Sequence, residues 1–216
     1  MGKDKLRRFA EISTFDNVLQ LDEGKELKGS WSRTQFGDDH PIILELACGK
    51  GEYTVNLARL FPDTSFIGLD YKGNRIWRGA KTAIEENIKN VAFLRIQIEN
   101  ILDYFAEGEV SEIWITFPDP QPQLSREKKR LTFPGFLAKY RRILKPGGMM
   151  HLKTDNDALY KYTLEKIEEH HLHLHCSTAD LYHSEYVNEV LSIKTYYEKK
   201  YLQSEKNINY IKFSFD

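Results

Sequence analysis

Cysteine is scarce in this 216-residue chain: only Cys48 and Cys176 occur, far apart and in no metal-ligand spacing. That scarcity suits a reduced compartment and argues against a disulfide scaffold. An excess of either charge is also missing. With 31 Lys and Arg against 32 Asp and Glu the net charge is −1, so bulk electrostatics make no case for nucleic acid and any basic surface must be local. Long apolar runs are absent as well: no stretch approaches the roughly 18 apolar residues of a membrane helix. The amino-terminal MGKDKLRRFAEI is charged where a signal peptide would be apolar. A soluble cytoplasmic protein with no membrane contact is the expectation. Repeats and low-complexity tracts are lacking too, and 41% hydrophobic residues suffice for one buried core.

What is present is an alternation of periods. Residues 1–40 are polar and carry turn signals at Gly29-Ser30 and Gly37-Asp38-Asp39, so they read as an arm ahead of a domain spanning 41–216. From Pro41 onward short apolar runs alternate with amphipathic stretches. IILELA leads to a helix over about Glu52 to Leu60, SFIGLD to a helix over Arg75 to Asn87, and VAFLRIQI follows. SEIWITF, a helix from Gly135 to Leu144 stopped by Lys-Pro-Gly-Gly, MMHLKT and a helix from Leu159 to about Glu169 continue the pattern. Right-handed crossovers make this a doubly wound α/β fold with a mostly parallel sheet. The final INYIKFSF and the His/Leu alternation before it are candidates for an antiparallel edge.

The sharpest local signal is ILELACGKGEY, an apolar strand carrying Glu45 that runs into Gly49 and Gly51 and then into a helix. Glycines at such a turn let backbone approach a ligand closely. The next strand ends in Asp70, a ribose-binding acid by position. A dinucleotide fingerprint needs a third glycine where Thr54 stands, and Glu52 opens the helix where a pyrophosphate would sit. A sulfonium ligand tolerates those acids, so S-adenosylmethionine is expected rather than NAD.

The run ITFPDPQP brackets Asp119 with two prolines directly after a buried strand, which holds the carboxylate stiffly at the mouth of the cleft. Next comes REKKRL, whose Arg126, Lys128, Lys129 and Arg130 form the local basic cluster that a phosphate backbone requires. His171, His173 and His175 would share one strand face, but successive same-face residues lie about 7 Å apart, so an exposed strand is expected and no metal. Of Tyr182, Tyr186, Tyr196 and Tyr197, all able to stack on bases, only Tyr197 falls in a motif.

Taken in order, ELACGKGEY, IGLD, TFPDP, KKRLTFPGFLAKY, HLKTDN and the TYYE of Thr195 to Glu198 resemble the bacterial tRNA (guanine-N7)-methyltransferase family over most of the chain. The resemblance implies a Rossmann-like methyltransferase fold, S-adenosylmethionine as cofactor and a variable-loop guanosine of tRNA as substrate. It implies that Glu45, Gly49, Gly51, Asp70, Gln97 and Asp119 contact the cofactor and that Asp119 is the active-site aspartate. It places Asp155, Thr195, Tyr197 and Glu198 on the substrate, with Gln123, Arg126, Lys128 and Lys129 beside them. The chain departs from the family pattern at four places. Ala47 replaces a glycine, Asp70 a glutamate and Gln97 an aspartate, and Gln121, Gln123 and Leu124 replace the Trp and paired basic residues of DPWPKK. Two other readings stand beside this one: a methyltransferase of the same fold with a small-molecule or protein substrate, and an RNA-binding paralogue weakened by its altered DPQPQL loop. Monomer and homodimer are both open.

Overall fold

A computed structural model describes residues 2–216, with side chains from Asp4 onward. Eight strands form a single sheet in the order β1-β4-β3-β2-β5-β6-β8-β7. The strands are β1 (Val18–Gln20), β2 (Ile42–Leu46), β3 (Ser65–Leu69), β4 (Val91–Arg95), β5 (Val110–Thr116), β6 (Leu144–Thr154), β7 (His173–Thr178) and β8 (Asn209–Ser214). All pairings from β1 to β6 are parallel, and β8 runs antiparallel to both β6 and β7. The expected α/β class with an antiparallel carboxyl-terminal edge is thus observed. Helices cover both faces, which is why β2, β3 and β4 are almost unbroken apolar runs. None of the described helices is long and apolar enough to cross a membrane.

Four helices frame the site. α3 (Glu52–Leu60) follows the glycine turn and buries Tyr53, Thr54, Leu57 and Ala58. α4 (Gly73–Glu85) follows β3. α5 (Pro134–Ile143) starts at Pro134, whose fixed φ suits the first helical position. α6 (Asp157–Glu169) is capped by Asn156, whose side chain accepts from the Leu159 N–H at 2.8 Å. The Lys-Pro-Gly-Gly stretch does not lie between α5 and β6 as expected. It forms a bulge inside β6, where the pairing shifts from Val110 opposite Leu144 to Glu112 opposite Met149.

The expectation of an arm outside the core is corrected. α1 (Gly2–Ile12) packs on α4, β1 adds a parallel edge strand beside β4, and α2 (Asp22–Glu26) follows. Ile12, Val18, Leu27 and Trp31 are all buried. Trp31 stacks on Phe105 with centroids 5.4 Å apart and donates its indole N–H to the Tyr104 carbonyl at 2.8 Å. These apolar residues are scattered through a polar stretch, and their burial depends on partners distant in sequence.

Candidate functional site

The glycine turn leaves β2 at the carboxyl edge of the sheet, with Ala47, Gly49 and Gly51 all in the left-handed region at φ 55°, 58° and 67°. A side chain at Gly51 would collide with the Phe93 ring. Glu45, on β2, is buried and fully engaged. One carboxylate oxygen accepts from the Thr54 N–H at 2.8 Å and from the Thr54 hydroxyl, and the other from the Thr116 hydroxyl at 2.5 Å. It therefore ties β2, α3 and β5 together. Burial pushes its carboxyl up to about 7, against the pull of these hydrogen bonds. Thr54, standing where a dinucleotide site has glycine, finds its room opposite Gly68, at which a Cβ would lie 2.9 Å from the Thr54 hydroxyl.

Asp70, just past β3, is also buried and braces the turn. Its two oxygens accept from the Gly49 N–H at 3.1 Å and the Lys72 N–H at 2.8 Å. A carboxylate oxygen has more than one acceptor site, so both can still take a hydroxyl. Gln97 lies just beyond β4 with its side chain exposed. Glu45, Asp70 and Gln97 thus mark the carboxyl ends of three adjacent strands, where open α/β sheets bind ligands. Cys48, within the turn, is buried, and burial together with the Glu45 and Asp70 charges pushes its thiol well up, which makes it inert filler.

β5 lies beside β2, with Leu46 opposite Ile115, so its loop opens next to the glycine turn. Phe117 takes φ 49° and donates its N–H to the Lys153 carbonyl at 2.8 Å. Pro118 is buried and Asp119 is exposed. Asp119 Oδ1 accepts from the Gln121 N–H at 3.1 Å, and Oδ2 has no partner among the described residues. A short 3-10 helix, Leu124–Lys129, then presents Arg126, Lys128 and Lys129 to solvent, with Gln123 exposed just before it.

Beyond β6, Asp155 accepts from Lys206 Nζ at 3.1 Å and borders a groove of about 770 Å³. The TYYE motif opens a helix that the sequence pattern did not reveal, α7 (Tyr196–Gln203). Thr195 and Glu198 form a reciprocal capping box at its start. Glu198 is fully buried and accepts from Lys153 Nζ at 2.9 Å and from the Tyr182 hydroxyl at 2.5 Å. Lys153, equally buried, also donates to the Leu191 carbonyl at 2.9 Å and the Ile193 carbonyl at 3.2 Å. Burial holds its ammonium below the usual lysine range, with Glu198 opposing. Tyr197 is exposed, and the Tyr196 N–H donates to Glu52 at 2.8 Å, which seats α7 over the start of α3. One sign of Lys153's role is visible in the sequence, a lysine inside an apolar strand.

His171 lies outside β7 at φ 52°, so the three histidines do not share a strand face. His173 and His175 have ring centroids 4.4 Å apart on the exposed edge. Among the described residues no cluster of three or more potential ligands is placed to hold a metal ion.

The site therefore places two buried acids and a strained glycine turn beside an exposed carboxylate that is followed by exposed cations. Comparison with known proteins places the chain among methyltransferases. A family profile described as putative methyltransferase matches residues 39–211. The chain is 53% identical to a tRNA (guanine-N(7)-)-methyltransferase of Christiangramia forsetii, covering 98% of each protein. It is 49% identical to the protein of that name from Bacteroides thetaiotaomicron, covering 99% of this chain and 86% of the relative. Among solved structures, 16S rRNA methyltransferase KamB superposes with a TM-score of 0.62 at 15% identity, over 82% of this chain and 88% of that one, a likeness of fold.

Proposed function

The chain belongs to the tRNA (guanine-N(7)-)-methyltransferase family, and from that premise we propose that it moves a methyl group from S-adenosylmethionine to N7 of a variable-loop guanosine in tRNA. The observation that carries the reading is the placement of Asp119. An exposed carboxylate with one free oxygen opens from β5 directly beside the glycine turn of β2.

The donor set fits the cofactor. Asp70, held by two backbone N–H groups, suits a ribose diol, and Gln97 offers both donor and acceptor to an adenine edge. The Asp70 carboxylate gives the region a negative character that suits a cation. When bound, S-adenosylmethionine supplies an electrophilic methyl group on a sulfonium. Guanine N7 carries an available lone pair, so no proton has to leave it and no general base is required. The protein's task is alignment and stabilisation of the positive charge that develops on the purine. Asp119 Oδ2 accepts from the guanine N1 and amino groups, which orients N7 and favours that charge. Asp155 takes the other side of the guanine once Lys206 yields it. Glu198, with Oε1 engaged by Lys153 and Tyr182 and Oε2 by the Thr195 N–H at 3.4 Å, holds Thr195 and Tyr197 in place rather than touching the base. Arg126, Lys128 and Lys129 receive tRNA phosphates, and Gln123 lies between them and Asp119. Work on tRNA accords with a bacterial cytoplasmic setting.

The test is methyl transfer from labelled S-adenosylmethionine to a tRNA transcript and to one whose variable-loop guanosine is adenosine. Label on the first transcript alone is expected, and label on both removes the assignment. Asp119→Ala is expected to abolish transfer while cofactor affinity changes less; unchanged turnover removes Asp119 from its role.

A further inference from the structure

Within the basic run after the catalytic loop, Arg130 differs from its neighbours. Arg126, Lys128 and Lys129 are exposed, whereas Arg130 is half-buried and turned inward. Its guanidinium lies 4.3 Å from the Tyr162 ring centroid on α6, and its Nε–H donates to the Gln121 carbonyl at 3.2 Å. The same Gln121 donates its N–H to Asp119 Oδ1 at 3.1 Å. Gln121 itself sits at φ 45°, a left-handed conformation that is strained for a side-chain-bearing residue and persists only where the surroundings hold it.

We propose that Arg130 is a positioning residue: clamped on Tyr162, it fixes the left-handed Gln121 peptide, and that peptide fixes the Asp119 carboxylate. The inference rests on the functional reading above and deepens it. Gln121 is gripped at both ends, by the guanidinium on its carbonyl and by the carboxylate on its amide. The Arg130 end is anchored in turn, because Thr132 just beyond it meets Thr163 of α6 through their hydroxyls at 2.9 Å. Asp119 has no other partner among the described residues, so its direction depends on this chain of contacts. Stacking and a directed Nε–H are properties of arginine that lysine lacks. Losing the clamp lets Gln121 relax to a common conformation and swings the carboxylate away from the purine.

The test compares the parent with Arg130→Ala and Arg130→Lys in methyl transfer at saturating tRNA and S-adenosylmethionine, and measures tRNA affinity at two salt concentrations. Label on the guanosine transcript by the parent is established first, and its absence overturns the functional reading itself. With the parent active, both variants are expected to lose about tenfold to a hundredfold in saturated rate, the range that a misplaced catalytic group costs. Their tRNA affinity is expected to stay within about twofold of the parent at both salts, since no phosphate contact is lost. Methylguanidinium is expected to raise the rate of Arg130→Ala and not that of the parent. Saturated rates equal to the parent's in both variants overturn the proposal. So does a loss confined to tRNA affinity that shrinks at high salt, which marks a phosphate contact. If Arg130→Ala fails to fold, Arg130→Lys decides by the same two criteria.

Discussion

Lys153 Nζ lies 2.9 Å from Glu198 Oε1, and neither side chain reaches solvent. The pair joins the end of β6 to the start of α7, and Glu198 adds the Tyr182 hydroxyl and the Thr195 cap to the same node. Removing one member leaves a buried charge without its partner, which costs about 3–5 kcal/mol, whereas exchanging both for neutral groups can be tolerated. Lys153→Met is therefore expected to lower the unfolding free energy by that amount, read as a lower urea midpoint at unchanged slope. Lys153→Met combined with Glu198→Gln, whose amide oxygen can still serve Tyr182, is expected to recover part of it. A single variant as stable as the parent would show that the pair contributes nothing to the node.

Glu45 predicts a pH dependence. Its carboxyl titrates near 7 in the folded protein because burial raises it from an ordinary 4.5. Between those values the folded state keeps a proton that the unfolded chain has released. The corresponding stability is fully present below 4.5 and is lost as pH rises through 7, an effect of about 3 kcal/mol. Glu45→Gln keeps acceptors for Thr54 and a donor for the Thr116 oxygen but has no proton to lose. The stability of the parent minus that of the variant, measured by urea unfolding at pH 5 and pH 8, is expected to fall across that interval. A constant difference would place the carboxyl at its ordinary value.

Much of this architecture is legible in the sequence, for a physical reason. Parallel strands covered on both faces are continuous apolar runs, so β2 to β6 and the turn between β2 and α3 stand out. The site's outline follows, because Glu45, Asp70, Gln97 and Asp119 all lie at strand ends. What escapes depends on contacts between distant residues. Trp31 finds Phe105, Glu198 finds Lys153, Arg130 finds Gln121, and Gly68 makes the room that Thr54 needs. α7 escapes as well. Its YYEKKYLQ buries only Glu198, so no apolar periodicity marks it.

The glycine turn carries a strain that can be relieved. Ala47 sits at φ 55° beside Gly49 and Gly51, and a Cβ in that region costs about 1–2 kcal/mol. Glycine adopts the conformation freely but loses more entropy on folding, about 0.5–1 kcal/mol. Ala47→Gly is expected to raise the unfolding free energy by up to about 1 kcal/mol. Chemical denaturation checks it, and a destabilised variant would show that the methyl group's packing outweighs the strain.

Arg126, Lys128 and Lys129 project from the helix after Asp119 and make no ion pair with any described residue. Cations that meet phosphates act by releasing counterions, so each contact adds about 0.7–0.9 to the slope of log affinity against log salt. Lys128→Ala with Lys129→Ala is expected to weaken tRNA binding more at low salt than at high salt and to reduce that slope by about 1.5. Phosphate contacts set register without reading the base, so the double variant is expected to keep the preference for a guanosine over an adenosine transcript. The methyl-transfer rate at saturating tRNA is expected to stay close to the parent's, in contrast to Arg130→Lys, whose loss falls on that rate. Equal affinity of parent and double variant at low salt would remove these lysines from the RNA surface and leave the exposed Arg126 as the only cation of the three able to fill it.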